Sequence, residues 1–188
     1  MAGDGNGKKN GVRQQTLMVY VEDKPGVLTR VASLFRRRTF NIASLTVGHT
    51  EKPGVSRMTI VMEGGEADAL RCEANLYRLV NVLRVENVTH QPTLTRDLAL
   101  VKVRCPAERR AEVLQVCDVF RARVVDLSLS TVIVEITGDE VKIDGLLDVL
   151  RPFGIIEMVR TGVVAMTRGA EAPSIDPHFV HATVVEPD

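Results

Sequence analysis

A chain of 188 residues, 45% hydrophobic and 26% charged, has room for one large domain or two small ones with a packed core. Lys plus Arg and Asp plus Glu stand at 24 each, so no net field draws the chain to nucleic acid or to an anionic membrane. No apolar run approaches the ~20 residues of a membrane span, and three scattered cysteines without a Cys-x-x-Cys pair suit the cytoplasm.

Residues 1–14 are glycine-rich and polar, with no apolar core for a secretory signal, and read as a disordered lead. Leu17, Val19 and Val21 then alternate with Met18 and Tyr20, the period of a strand. Leu28, Val31, Ala32 and Phe35 fall at i, i+3, i+4 and i+7, which predicts a helix from about Pro25 to Arg38. Pro25 suits its first turn, with Asp23, or the backbone of Lys24, near the cap, and the Arg36-Arg37-Arg38 run closes it. Asn41 to His49 returns to strand, "HTEKPG" is turn chemistry, and "VSRMTIVM" is a strand with Met58, Ile60 and Met62 on one face. Ala69, Cys72, Leu76 and Leu79 form a second helical stripe, and "VNVLRVENV" closes the unit as a strand. The order over 15–90 is β-α-β-β-α-β, a ferredoxin-like unit whose helices cover one face of an antiparallel sheet. The opposite face needs cover, which predicts self-association.

Residues 91–97, within "THQPTLTRD", read as a polar linker, after which the same order recurs over 98–169. "LALVKVRC" is a strand, Val113, Val116, Cys117 and Phe120 form a helical stripe, and "ARVVDLS" and "STVIVEIT" are strands. Ile143, Leu146, Leu147 and Leu150 form another helical stripe, and "GIIEMVRTGVVAMTR" supplies one or two closing strands. The fold class is therefore α+β, built from two ferredoxin-like βαββαβ units. The tail, 170–188, has three prolines and no periodicity and is expected to be loosely held. Cys72 and Cys117 fall on apolar helical faces, where a thiol is buried rather than reactive.

The chemistry concentrates at Asp23 to Leu28. A helix starting near Pro25 leaves the N–H groups of Gly26, Val27 and Leu28 unpaired at the positive end of its dipole, where a carboxylate is favoured. Gly26 lets a ligand approach the backbone, and Asp23 beside it accepts from an ammonium group. Together these describe a free α-amino acid. On spacing alone a plain capped helix explains the stretch better than a ligand site does. Asn41, opening the next strand before Ile42, can donate and accept at once, or can simply terminate the preceding turn. His178 and His181 are spaced i, i+3 but lack further ligands, and His49 and His90 are isolated, so no metal site is expected. Neither a nucleophile motif nor a phosphate loop is present, and nothing marks the chain as a catalyst. An RNA-binding sheet would stack bases on aromatics, yet there are only two Tyr, five Phe and no Trp.

"VEDKPGVLTRVASLFRRRTFNIASLTVG", followed by "SRMTI" and "LVNVLRVENVT", resembles the ACT domain of the regulatory (small) subunit of acetolactate synthase, also called acetohydroxyacid synthase. "RDLALVKV", "FRARVVDLSLSTVIVEITGD" and "RTGVVAMTRG" resemble that subunit's C-terminal domain. The resemblance covers about Thr16 to Gly169. It implies an effector-binding ACT domain over 15–90 and an ACT-like domain over 98–169 that activates a catalytic partner. That partner, the large subunit, uses thiamine diphosphate, Mg²⁺ and FAD to condense 2-oxo acids toward valine, leucine and isoleucine. The small subunit carries none of these cofactors, raises the partner's activity and confers feedback inhibition, with valine the expected effector ahead of leucine or isoleucine. Family members hold the amino acid between the ACT domains of a homodimer, at positions that here are Asp23, Gly26, Val27, Leu28, Asn41 and Ile42. Many relatives have asparagine in place of Asp23 and tyrosine in place of Phe40; the first difference adds a charge suited to an ammonium group. A free-standing ACT-type amino-acid sensor acting on another enzyme is the alternative.

Overall fold

The computed structural model describes residues 13–169 and Ile175. Residues 1–12 and the rest of the 170–188 tail, His178 and His181 included, lie outside the described residues. Two compact units form, one holding the described residues up to Leu94 and from Ala165 on, the other holding Thr95–Val164. Among the described residues no helix is long and apolar enough to cross a membrane.

The first unit runs β1 (Gln14–Glu22), α1 (Val27–Arg37), β2 (Asn41–His49), β3 (Val55–Glu63), α2 (Glu66–Leu76) and β4 (Val82–Asn87). Its antiparallel sheet has the order β2-β3-β1-β4. Period-2 alternation sends Leu17, Val19 and Val21 of β1 and Met58, Ile60 and Met62 of β3 to the helix side, as their spacing predicts. Cys72 and Leu76 meet them from α2. Burial pushes the Cys72 thiol up to about 12, so it stays a buried apolar group rather than a nucleophile.

Two expectations about this unit are corrected. Helix α1 buries Val27, Val31, Leu34 and Phe35, while Leu28 is 45% exposed and Ala32 faces out. Both residue sets satisfy a 3.6-residue period, and the turn before the helix decides between them by aiming Val27 inward. The second correction concerns the other face of the sheet. Met18 and Tyr20 of β1 are buried there with Val55 and Val88, packed with Ala165 and Ile175 of the same chain. Cover for that part of the face comes from later residues of this chain rather than from another copy.

The second unit repeats the order with β5 (Thr93–Arg104), α3 (Arg110–Phe120), β6 (Arg123–Leu127), β7 (Thr131–Gly138), α4 (Glu140–Leu150) and β8 (Ile155–Arg160). Its sheet is arranged β6-β7-β5-β8, and a short β9 (Val164–Thr167) pairs with β5. Val113, Cys117, Ile143, Leu146 and Leu150 fill the core, with Val116, Phe120 and Leu147 partly buried beside them. Strand β5 begins inside the segment read as linker, because the threonines and Leu94 before Asp97 favour extended backbone once Pro92 is passed. Arg160 closes β8 and donates from Nε to Asp97 at 2.7 Å and from Nη1 to Asp144 of α4 at 2.9 Å. Asp97 is buried, so this charge pair has little solvent to screen it.

Phe35→Ala should cost about 3–5 kcal/mol in urea unfolding. Leu28→Ala should stay within about 0.5 kcal/mol, which separates the two possible inward faces of α1. Asp97→Ala, which leaves the Arg160 guanidinium with Asp144 as its remaining carboxylate partner, should cost about 1.5–3 kcal/mol by the same measurement.

Candidate functional site

The chain leaves β1 through Lys24-Pro25-Gly26-Val27. Gly26 has φ +83° and ψ −5°, and the Val27 N–H donates to Lys24 O at 3.4 Å. Proline second and a left-handed glycine third are the signature of a type II turn. This corrects the reading of Pro25 as a first-turn helical residue. Pro25 belongs to the turn, Gly26 is the cap, and no side chain caps α1. The first helical bond runs from Arg30 N–H to Gly26 O at 3.0 Å. The N–H groups of Gly26, Leu28 and Thr29 find no acceptor among the described residues. They form a cluster of donors at the positive end of an 11-residue helix whose first turn holds no acidic residue.

Asp23 stands beside these donors. Its N–H donates to Gly54 O at 2.8 Å, and its carboxylate Oδ2 lies 3.2 Å from His49 Nδ1. The turn is braced from behind. Asn81 accepts from the Glu22 N–H at 2.9 Å through its backbone and donates to Glu22 Oε2 through its amide at 2.5 Å. The Arg30 guanidinium donates to Asn81 Oδ1 at 2.6 Å, and Lys24 Nζ meets Glu22 Oε1 at 3.2 Å. Thus the end of β1, the first turns of α1 and the segment before β4 are tied through one nearly buried amide. Val27 is buried and its N–H is taken by Lys24 O, which corrects the expectation of a free donor there, whereas Leu28 presents an apolar side chain to solvent.

Asn41 and Ile42 lie elsewhere. In the β2–β3 ladder Asn41 opposes Glu63 and Ile42 opposes Met62, while Glu22 opposes Val55 at the other end of β3. That separation is about 26 Å along the strand at a rise near 3.3 Å per residue. Asn41 is exposed and its amide donates to Glu63 Oε2 at 2.6 Å; Ile42 packs toward the core. The six predicted positions therefore form two groups, four at one end of the sheet and two at the opposite end of its edge strand. A cavity of about 320 Å³ lies near the second group, lined by Arg38, Thr39, Phe40, Asp68, Arg71 and Asn75. The Gly65 N–H, then the Arg71 guanidinium, hold the Asp68 carboxyl below its usual range, so the charges of Asp68 and Arg71 are already paired. Among the described residues no cluster of three His, Cys, Asp or Glu side chains could hold a metal ion.

Comparison with known proteins places this geometry in a family. A model of the AHAS small subunit-like ACT domain matches residues 17–84, and a model of the small subunit of acetolactate synthase matches residues 96–169. The acetolactate synthase small subunit of Mycobacterium leprae is 50% identical over 159 residues, 85% of this chain and 94% of that protein. The chain belongs to the acetolactate synthase small-subunit family. The Aquifex aeolicus small subunit is 44% identical over 162 residues, 86% of this chain and 84% of its own length. The solved structure of the small subunit of acetolactate synthase from Thermotoga maritima superposes with a TM-score of 0.79 at 37% identity, covering 85% of this chain and 99% of that one.

Within this small-subunit fold, one neighbour of the Asp23 turn escaped the sequence reading. The sequence isolates His49 only as a metal ligand; in the fold it meets the Asp23 carboxylate. The signal was present in duplicate: Asp23-Lys24-Pro25-Gly26-Val27 and Glu51-Lys52-Pro53-Gly54-Val55 are near copies. The second also forms a type II turn, with Gly54 at φ +75° and Val55 N–H bonded to Lys52 O at 3.2 Å. Two such turns at one end of an antiparallel sheet bring the ends of β1 and β2 together. A Cβ on Gly26 would meet nothing within 4 Å, so only the backbone resists substitution. Gly26→Ala should therefore lower stability by about 1–2 kcal/mol in thermal unfolding, with no further loss from crowding.

Proposed function

We propose that this chain is the regulatory subunit of an acetolactate synthase. It binds the large catalytic subunit in the cytoplasm, raises its activity and confers feedback inhibition by a branched-chain amino acid, valine foremost. The thiamine diphosphate, Mg²⁺ and FAD of the reaction reside on that partner, and this chain contributes binding and coupling rather than a chemical step.

The observation that carries the site assignment is the division of its residues between the two ends of one sheet. Asp23, Gly26, Val27 and Leu28 sit at one end, and Asn41 and Ile42 sit about 26 Å away on the edge strand β2. No single chain can close both groups around a molecule as small as valine. Antiparallel pairing of β2 with β2 of a second copy joins the two sheets and carries Asn41 of that copy toward His49 and Asp23. In the site so completed, the free N–H groups at the start of α1 receive the ligand carboxylate, Asp23 receives the ammonium, and exposed Leu28 meets the aliphatic side chain. Asn41 and the backbone around Ile42 of the second copy close it. A ligand spanning two copies favours whichever dimer geometry fits it, and a coupling of about 1–3 kcal/mol would produce measurable inhibition.

Gly26→Asp introduces a strained backbone and a negative charge where the carboxylate belongs. Reconstituted with the large subunit, this variant should activate as the parent does while valine inhibition disappears. Undiminished valine inhibition would remove the Gly26 turn from the site. Failure of the parent chain to co-purify with or activate a large subunit would favour a free-standing amino-acid sensor instead.

A further inference from the structure

His49 ends the edge strand β2 with its side chain 85% exposed, yet Nδ1 lies 3.2 Å from Asp23 Oδ2. Asp23 leads into the first Lys-Pro-Gly turn and His49 ends the strand that leads into the second, and the bond from Asp23 N–H to Gly54 O ties the two turns together. The imidazole therefore faces the one carboxylate that the proposed site offers to an ammonium group.

We propose that His49 competes with the ligand's ammonium for Asp23, so that amino-acid binding at this site weakens as the imidazole protonates. The inference rests on the reading of Asp23 to Leu28 as an α-amino-acid site. A carboxylate only accepts hydrogen bonds, and a protonated imidazole both occupies one of its oxygens and adds positive charge where the ammonium must approach. A neutral imidazole adds no such charge and yields the oxygen readily. Histidine is the side chain whose charge changes between pH 5 and 8, so affinity for a zwitterionic amino acid rises with pH across that window.

Other charges surround this end of the sheet. Lys24 is on the same turn as Asp23 and is held by Glu22, and Glu51 and Lys52 lie on the second turn. Arg57 of β3 lies opposite both Gly48 and Tyr20 and bonds the Tyr20 hydroxyl. Of these residue types histidine alone switches charge in the stated window. An exposed ion pair of this kind changes an equilibrium constant by about two- to fivefold, which sets the size of the effect.

Valine binding to the full chain, measured by titration calorimetry near pH 5.5 and near pH 8, tests the competition. The parent chain should bind about two- to fivefold more tightly at the higher pH. His49→Gln should bind with equal affinity at both, and His49→Arg, with a fixed charge, should keep the weak affinity at both. A parent chain without pH dependence, or an equal pH ratio in parent and His49→Gln, overturns the competition and leaves the site standing. Valine binding that is absent from the parent, or fully retained in Gly26→Asp, overturns the site and the competition together.

Discussion

A left-handed backbone at Gly26 turns β1 into α1 within four residues, and the arrangement of the site follows from it. Because φ is +83°, Pro25 and Gly26 are spent on the turn and α1 starts only at Val27. That start sends Val27 into the core and Leu28 out to solvent, and leaves peptide N–H groups pointing past a glycine with no side chain to cover them. The network of Glu22, Asn81 and Arg30 holds the turn in place without filling the space in front of it. Rigid support behind an open donor cluster is what a site for a small anion-bearing ligand requires.

Much of this was readable before the structure. Strand β2 runs from Asn41 to His49 as the sequence indicates, and both units have the predicted βαββαβ order, because period-2 alternation and Pro-Gly turns are local signals. The start of α1 was not readable, since Pro25 fits both the first turn of a helix and the second position of a type II turn. Choosing between them decides which of two equally periodic stripes faces inward. The cover over Met18 and Tyr20 also escaped, because Ala165 and Ile175 are more than a hundred positions away in the chain. His49 escaped for a similar reason: its contact with Asp23 exists only once β3 separates β1 from β2 and both turns come to the same end.

Register has the larger consequence for function. Asn41 opposes Glu63 while Glu22 opposes Val55, so the two groups of candidate residues cannot meet within a chain. Among the described residues β2 is the outer strand of its sheet, which in the proposed reading puts both groups in reach of a neighbour that pairs along it. Under the proposed function, a site divided in this way would be silent in a single chain and would respond to the geometry of a pair, which would let a regulatory subunit transmit the presence of an amino acid.

The most direct test mixes two defects. Gly26→Asp and Asn41→Ala chains, each deficient in valine binding when alone, are co-expressed so that mixed dimers form. A mixed dimer contains one site with neither defect and one with both, so binding should return to about one quarter of the sites under random pairing. Calorimetry that finds this partial recovery supports a site shared between copies. No recovery in a preparation shown to contain mixed dimers would contradict it.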